Sequence, residues 1–529
     1  MMRLRQAVLG AMLATFNIPG VWAQGANAPL PVGATPPPTP AATPAVTSAS
    51  PAPVRPAAVP RRPARPQPAM ATPMPIGPAT LRESLAAAYA NNPALQAERA
   101  KLRSVDEGVP QALSGWRPTV TVNANAGYAD GTGRTSSAGK RVGTPPDEIS
   151  VFPPYTRSSR APVGTQATVT QPLYRGGRTT SSTHQAENKV MAERARLIAA
   201  EQAVFTDTVN AFVGVIQATQ ILALNTNNEQ VLAKQLQATQ DRFRVGEITR
   251  TDVAQAEAAL ATATAQRQTA EGNLAVARAA YAKVVGAQPG ELVPPQPLNL
   301  PVKTVQEAAI LAAANNPTVV AALFDDASNK DAVDVAFSAL MPQVSMQAQA
   351  FAQNNTSLPG ARSNGGQVTA NLTVPLYQGG VEYATVRQAR QVQQQSRKLV
   401  DDARRTAVQQ ASQAWATLDS ARATVASTRE AIRANRIALE GVTREALVGS
   451  RTTLDVLNAQ QAVLNTEVTL VQNLANLVIA SHSVAASIGR LTARDMNVAV
   501  PLYDETAYYN AVRDRWAGTG DYATEQPGR

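Results

Sequence analysis

The chain has 529 residues, a formal net charge of +10, 44% hydrophobic but only 4% aromatic residues, and no cysteine. The lack of cysteine excludes disulfides, thiolate catalysis and a lipidated N-terminal cysteine. Six arginines in the first 65 residues, which contain no acidic residue, account for most of the excess charge; about +4 remains on the rest, which gives no reason to expect a nucleic-acid partner.

Residues 1–23 have the features of a secretory signal peptide. Arg3 and Arg5 precede an apolar run that is well short of the roughly 20 residues of a membrane-spanning helix, which disfavours the alternative of a membrane anchor. The next segment, 24–78, is mainly Pro, Ala and Thr and is predicted to be an extended, solvated tether. Its default role is a spacer, and envelope binding through its arginines is the alternative.

The rest of the chain contains one pattern twice. Residues 80–100 return at 304–324 with an offset of 224, including an Asn-Asn-Pro motif, and a PLYxGG motif at 172–177 returns at 375–380 with an offset of 203. The first copy must therefore contain a loop that is 21 residues longer, and no later offset change is needed. A repeat of this length indicates doubled architecture.

Five parts follow from this pattern. They are a signal peptide at 1–23, a tether at 24–78, repeat 1 at 79–300, repeat 2 at 301–498 and a C-terminal tail at 499–529.

Each repeat begins with a helix, predicted at 80–115 in the first copy. Residues 178–245 and 381–448 contain no proline and have apolar residues at helical spacing, which predicts two helices about 100 Å long. A shorter helix returns after Gly246 and after Gly449. Two short helices placed end to end then match the length of one long helix.

Between the opening and long helices, apolar and polar residues alternate with a period of two. The strands are predicted at 118–128 and 164–174 in repeat 1, and at 342–352 and 367–377 in repeat 2. One apolar and one polar face suit an outer-membrane barrel, but four strands are too few to close one, so the chain must oligomerise. A soluble hairpin on a helical stalk is the alternative.

The predicted fold class is therefore mainly α with a small β part. Two tandem repeats each run helix, strand, strand, long helix, helix.

The doubled Asn-Asn-Pro, PLYxGG and Val-Gly motifs, in this order, resemble the TolC-type outer-membrane efflux and secretion channels over residues 80 to about 495. The resemblance implies a homotrimer with a twelve-stranded barrel in the outer-membrane lipid of a Gram-negative cell and an α-helical tunnel in the periplasm. It implies a passive exit duct that docks by its periplasmic tip onto an adaptor (membrane fusion) protein and an inner-membrane RND or ABC transporter.

The resemblance also identifies functional positions. At the periplasmic tip these are Gly246, Thr251, Asp252, Gly449, Arg451, Asp455 and Asn458, and at the strand-to-helix exits they are Gly176, Gly177, Gly379 and Gly380.

Asp455 matches an aspartate that forms a ring in the channel constriction, where carboxylates would favour cations. The alternative to a role in the lumen is helix N-terminal capping, for Asp455 and also for Asp252. Arg451 matches an arginine that holds the closed tip through links to the neighbouring hairpin, with Thr251 and Asp252 at the partner positions. The gate tyrosine and second ring aspartate of the best-known member are replaced by Ala446 and Asn458, which implies a weaker gate and a weaker cation preference.

No catalytic group, cofactor site or metal site is predicted, because acid, base and nucleophile do not recur together and neither HExxH nor a cysteine cluster occurs. His184 and His482 are expected at the surface. The chain is therefore not expected to be an enzyme. The alternative to a duct is a non-conducting trimeric structural or adhesive stalk in the cell envelope, and the cargo and the pump are not determined by the sequence.

Overall fold

A computed structural model of the protein describes residues 78–133, 156–356 and 359–520. The predicted signal peptide and, apart from Pro78, the predicted tether lie outside the described residues. The described part contains ten α-helices and six β-strands. The helices are α1 (Leu81–Asn91), α2 (Pro93–Asp106), α3 (Gly108–Leu113), α4 (Arg178–Arg244), α5 (Arg250–Val285), α6 (Val305–Asn315), α7 (Pro317–Phe337), α8 (Val381–Leu447), α9 (Thr453–Ser487) and α10 (Ala507–Val512). The strands are β1 (Thr119–Ala126), β2 (Ala129–Gly133), β3 (Thr156–Arg160), β4 (Val163–Arg175), β5 (Gln343–Asn354) and β6 (Arg362–Thr373).

The helices of the two repeats match in length. α4 and α8 each contain 67 residues, and both ends of α8 lie 203 positions after those of α4. α1 and α6 each contain 11 residues and are offset by 224. The offsets that the sequence motifs require therefore also describe the helix bounds.

The opening helix predicted at 80–115 is interrupted, which corrects that prediction. α1 gives way to α2 at Asn92, because the following Pro93 keeps Asn92 in an extended conformation, with φ −67° and ψ 121°. The side-chain oxygen of Asn92 accepts a hydrogen bond from the backbone N–H of Ala94 at 2.9 Å. Asn92 is therefore the N-cap of α2.

The same asparagine contacts a third helix end. Asn92 Nδ2 donates to the carbonyl oxygen of Val284 in the last turn of α5, at 3.1 Å. In repeat 2, Asn316 Nδ2 donates to the carbonyl oxygen of Ser487, the last residue of α9, also at 3.1 Å. Carbonyls in the last turn of a helix lack partners within it. Each Asn-Asn-Pro motif thus ties a returning helix to the junction of two opening helices.

The largest cluster of buried apolar side chains lies around this junction in repeat 1. It includes Leu85 of α1, Leu102 of α2, Phe205 of α4, Ala485 of α9 and Leu491, which follows α9. α4 buries 19 of its 67 residues, whereas α8 buries nine. Within one copy, α4 is therefore covered on several sides and α8 on one.

From Ser396 onward, the buried residues of α8 follow steps of three, four or seven, the spacing of one face in left-handed helix packing. They are Val386, Ser396, Val400, Ala407, Ala411, Leu418, Val425, Thr428 and Ile432.

Strands β1, β4, β5 and β6 form one sheet in that order, so β1 and β6 are its edges. β1 pairs antiparallel with β4, beginning with Thr119 opposite Thr170. The strand predicted at 367–377 begins five and ends four residues earlier, as β6. β6 ends before Pro375 because proline lacks the N–H that a further hydrogen bond of the ladder would need. As an edge strand, β6 also has only one neighbouring strand to pair with.

The hairpin of repeat 1 extends beyond the strands that the sequence predicts. β2 pairs antiparallel with β3, from Ala129 opposite Arg160, in the same register as β1 with β4. The N–H of Gly127 donates to the carbonyl oxygen of Pro162 at 2.9 Å and continues the ladder between the two pairs. β2 and β3 belong to the segment that makes the first loop longer, and residues 134–155 of that loop lie outside the described residues.

The described part of the predicted tail is packed against helices. The N–H of Tyr503 donates to the hydroxyl of Tyr89 at 3.0 Å. The guanidinium carbon of Arg99 lies 4.4 Å from the ring centre of Tyr89 and 5.2 Å from that of Tyr503. These contacts hold the segment after α9 against α1 and α2. Residues 521–529 lie outside the described residues.

One buried carboxylate beside this segment has no partner. Asp106, the last residue of α2, is 1% exposed, and neither of its carboxylate oxygens has a hydrogen-bond partner. Burial raises the pKa of Asp106 to about 6; Arg194 opposes this effect, and Glu107 and Glu505 add to it. Because the pKa is raised above 3.8, the stabilisation from the protonated carboxyl is complete below pH 3.8 and is lost as the pH rises past about 6.

We expect Asn92→Ala to lower the free energy of unfolding by roughly 1–3 kcal/mol, because it removes an N-cap and leaves the Val284 carbonyl without its donor. Asn92→Asp keeps the capping oxygen but sets a carboxylate oxygen against the Val284 carbonyl oxygen, so it should also destabilise the protein. Unfolding midpoints in denaturant measure both. The exposed neighbour Asn91→Ala is the control. Equal midpoints for all three variants would contradict the assigned role of the junction.

We expect Asp106→Asn to stabilise the protein at pH 7.5 by up to about 3 kcal/mol, at about 1.4 kcal/mol per unit of pKa shift, and to have little effect at pH 3.5. Thermal midpoints at the two pH values measure this difference. Asp419→Asn, at an exposed position of α8, is the control. A loss of stability at pH 7.5 in Asp106→Asn would show that the charged carboxylate is favourable.

Candidate functional site

The two turns that join the long and returning helices have the same backbone conformation. The N–H of Gly246 donates to the carbonyl of Phe243 at 2.9 Å, and the N–H of Glu247 donates to the carbonyl of Arg242 at 3.0 Å. This pair of bonds is the Schellman helix ending, which places a left-handed residue after the helix. Gly246 has φ 80° and its counterpart Gly449 has φ 81°, as the ending requires.

The aspartate after each turn caps the returning helix. Asp252 Oδ2 accepts from the backbone N–H and the hydroxyl of Thr249, at 3.0 and 2.7 Å. Asp455 Oδ2 accepts from the same groups of Thr452, at 3.0 and 2.8 Å. The threonine hydroxyl accepts the aspartate N–H in return, which completes a capping box in both hairpins.

These hydrogen bonds favour the charged form of both aspartates. Those from Thr249 lower the pKa of Asp252, and those from Thr452 lower the pKa of Asp455. Both side chains are half-buried. Two permanent negative charges therefore lie at the ends of the hairpins, and the capping alternative considered from the sequence holds within one copy for both of them.

Each tip turn also carries an ion pair, with the charges exchanged between the hairpins. Arg242 near the end of α4 pairs with Glu247, whereas Glu445, its counterpart in α8, pairs with Arg451 at 2.8 Å. Both pairs join the last turn of the long helix to the loop that follows. They fix the loop against its own helix; Arg242 is half-buried and the other three charged residues are exposed.

The structure therefore gives Arg451 a partner other than the one expected. Within one copy, and among the described residues, no hydrogen bond or ion pair joins Arg451 to Thr251 or Asp252; its partner is Glu445 of the same hairpin. Asn458 is exposed and Ala446 is half-buried. The expected link between neighbouring hairpins stays a prediction for contacts between copies.

The predicted strand-to-helix exits have left-handed backbones. The φ angles are 62° and 84° at Gly176 and Gly177, and 70° and 85° at Gly379 and Gly380. The second glycine of each pair is the N-cap of the long helix, α4 or α8.

The histidines do not share one environment, which corrects the expectation that both are at the surface. His184 is exposed, but His482 is 3% exposed and its Nδ1 lies 2.8 Å from the carbonyl oxygen of Val478. Burial lowers the pKa of His482. Among the described residues, no group of three or more His, Asp and Glu side chains is arranged to hold a metal ion.

Each repeat thus contains a helical hairpin with the same tip turn and a glycine pair before its long helix. The sequence model of the outer membrane efflux protein family matches residues 85–287 and 309–490, one segment in each repeat. The chain belongs to the outer membrane efflux protein family.

Individual relatives agree with this assignment. The chain is 34% identical over 441 residues to the outer membrane efflux protein BepC of Brucella suis, which covers 83% of this chain and 91% of BepC. It is 23% identical over 319 residues to the outer membrane protein TolC of Escherichia coli, covering 56% of this chain and 63% of TolC. The solved structure of the CmeC outer membrane channel of Campylobacter jejuni superposes with a TM-score of 0.65 at 16% identity, covering 77% of this chain and 85% of CmeC.

Family membership settles the class of the protein. It is an outer-membrane transport protein that extends into the periplasm. Its relatives are efflux and secretion channels, and these are not enzymes. The predicted resemblance to TolC-type channels is confirmed.

Two buried polar residues were missed by the sequence analysis, although the sequence contains a signal for them. His482 lies four residues after Val478 and three before Ala485, which are both buried, so it continues the apolar face of α9. Asp106 lies in the same way between Leu102 and Val109. The helical spacing thus predicts burial at both positions, whatever the residue type.

We expect Gly449→Ala to destabilise the protein by about 1–2 kcal/mol, because a side chain is strained at φ 81°. Gly441→Ala introduces the same methyl group inside α8, where nothing lies within 4 Å of it, and should stabilise by about 0.5–1 kcal/mol. Unfolding midpoints of the two variants measure the opposite signs. Shifts in the same direction would contradict the assigned turn.

Proposed function

We propose that three copies of this chain form a passive exit duct in the outer membrane, which docks by its periplasmic tip onto an adaptor protein and an inner-membrane pump. The observation that carries the proposal is the four-stranded sheet with two unpaired edges, in a chain that belongs to a family of outer-membrane channels.

The sheet is incomplete in one copy. β1 and β6 each have a single neighbour, and open sheet edges are not tolerated in a lipid bilayer because their N–H and C=O groups have no water to bond. Pairing β6 of one copy with β1 of the next removes both edges. Three copies supply twelve strands, an even number within the range of outer-membrane barrels.

The faces of the sheet suit lipid on one side and water on the other. All eight residues of β1 are exposed, and the apolar Val120 and Val122 are 66% and 72% exposed. They alternate with Thr121 and Asn123, which point to the opposite face. The apolar face would contact lipid and the polar face would line the duct.

We assign membrane crossing to these strands rather than to the helices. By length and composition, the helical segments Arg178–Arg244, Val305–Leu340 and Thr453–Ser487 each contain a stretch apolar enough to cross a membrane. They also carry charged residues in contact with each other, such as Arg196 of α4 and Asp325 of α7, at 2.5 Å. Half-buried ion pairs between helices of the same chain suit a helical wall in the periplasm.

The open face of α8 supports assembly of the helical part. Its buried residues occupy one face, and most of the remainder is exposed in one copy. A neighbouring copy would cover part of this face, as β1 would cover the edge of β6. The same assembly would therefore cover the exposed face of α8 and pair the open edges of the sheet.

Assembly would also collect the tip charges around one axis. Asp455 would contribute one carboxylate per copy to a constriction, and its lowered pKa keeps it charged at neutral pH. A ring of such groups attracts cations and repels anions. Asn458, one turn further along α9, would add no charge.

The transport itself would need no chemistry from this chain. Energy and cargo selection would come from the inner-membrane transporter, of the RND or ABC class, and drugs, small molecules and exported proteins all remain candidate cargoes. A non-conducting trimeric stalk is not favoured, because the relatives are channels.

We expect the purified protein to give discrete, cation-preferring conductance steps in a planar bilayer. Asp455→Asn should reduce the cation-to-anion permeability ratio at least twofold, since an asparagine oxygen can still accept from Thr452 but carries no charge. Asp252→Asn makes the matching change in the other hairpin and shows whether that carboxylate also faces the lumen. Unaltered selectivity in Asp455→Asn would remove Asp455 from the constriction. Absence of conductance, even with Arg451 and Asp252 replaced to loosen the tip, would favour the stalk.

A further inference from the structure

We infer that the C-terminal segment 503–520 presents a binding surface for phospholipid head groups of the periplasmic leaflet, centred on Trp516. The inference rests on the proposed function in one respect, since it takes β1 as a strand that crosses the outer membrane. It concerns a part of the chain that lies outside both repeats and outside the segments that the family model matches.

The segment ends beside the point where the chain passes from helix to strand. The guanidinium carbon of Arg117 lies 5.0 Å from the ring centre of Trp516, and Arg117 Nη1 donates to the carbonyl oxygen of Arg515 at 2.6 Å. Arg117 precedes Thr119, the first residue of β1, by only two positions, or at most about 7 Å of chain. The interfacial layer on each side of the hydrocarbon core is about 5–8 Å thick. Trp516 is therefore connected to the start of β1 by one arginine side chain and two residues, and the inference places it at the level of the lipid head groups.

The segment is held firmly although the ring of Trp516 is exposed. The hydroxyl of Tyr508 donates to Glu107 at 2.9 Å, and Val512 is 1% exposed. Arg513 pairs with Glu187 of α4 at 3.2 Å. Trp516 lies four residues beyond Val512 and is 67% exposed.

An exposed tryptophan at this level fits one partner in particular. Tryptophan is enriched at membrane interfaces because its ring is apolar and its N–H is polar. Trp116, next to Arg117, is also 44% exposed. Arg117 and Arg515 offer positive charge to lipid phosphates, offset in part by Asp514, whereas Arg513 is already paired. An aromatic ring beside arginines, continuous with a membrane strand, indicates lipid head groups as the occupant.

The chain allows a direct test by tryptophan fluorescence. It contains four tryptophans, of which Trp22 lies in the predicted signal peptide. A variant with Trp116→Phe and Trp415→Phe leaves Trp516 as the reporter after processing. It is reconstituted into phosphatidylethanolamine and phosphatidylglycerol vesicles that contain phosphatidylcholine spin-labelled at acyl carbon 5 or 12. We expect quenching by the shallow label to be at least twofold stronger than by the deep label, with weak quenching by aqueous acrylamide.

Two controls separate this inference from the proposed function. A variant that retains only Trp415 should show no lipid quenching, because residue 415 lies about 50 Å along α8 from its start. Val122→Trp in a chain whose other tryptophans are replaced reports on β1, and both lipid labels should quench it. If the β1 reporter is not quenched, the membrane strand and the proposed function fail together.

If the β1 reporter is quenched and Trp516 is not, the inference alone is overturned. Strong acrylamide quenching would then place Trp516 in water, and protection from both quenchers would show that a neighbouring copy covers it. Should the double phenylalanine variant not fold, Trp516→Cys with an environment-sensitive dye gives the same readout, because the chain has no other cysteine to label.

Discussion

Three helix ends meet at Asn92 and three more at Asn316, and the length of the helical part depends on how the backbone groups at those ends are satisfied. A helix of 67 residues can be accompanied along its length by shorter helices only if these are placed end to end. Each asparagine caps one opening helix with its oxygen and bonds the last turn of the returning helix with its amide. The proline that follows prevents the opening helix from continuing. Each Asn-Asn-Pro motif thus connects three helix ends by the same hydrogen bonds in both repeats.

The sequence was sufficient to predict the elements whose bounds depend on glycine and proline positions and on the repeat offset. Glycine at a left-handed turn, proline at a helix start and a constant offset of 203 located the long helices and both tips, because each has a strong local cause. The shift of β6 was not predictable from alternation, since Val374 and Leu376 continue the alternating pattern beyond the last ladder bond. The expected partners of Arg451, Thr251 and Asp252, were inferred from the family resemblance. Within one copy, Arg451 pairs with the nearby Glu445 instead. An ion pair between exposed side chains depends on their three-dimensional positions, which neither the repeat nor the hydrophobic periodicity predicts.

The C-terminal segment is the part that the repeat does not explain. It lies against α1, α2 and α4 of the first repeat, through Tyr503, Tyr509 and Arg513. The first repeat buries Asp106 beneath this region, and the second repeat has Lys330 at the position 224 residues later. The two repeats have therefore acquired different surroundings at equivalent positions. A buried carboxyl without a partner is unfavourable when charged, and it can be replaced by an apolar or amide group without loss of any hydrogen bond.

The exchanged ion pairs at the tips have a consequence for symmetry. Two hairpins of nearly the same backbone come from each copy, so a ring of three copies would present six similar turns at its end. Arginine at position 242 and glutamate at the equivalent position 445 give neighbouring turns opposite charge arrangements. The end of the ring would then be close to sixfold in shape but threefold in electrostatic potential. A partner with six identical contacts could match the shape at every turn, yet it would meet two kinds of charge pattern and would bind in two inequivalent sets of three.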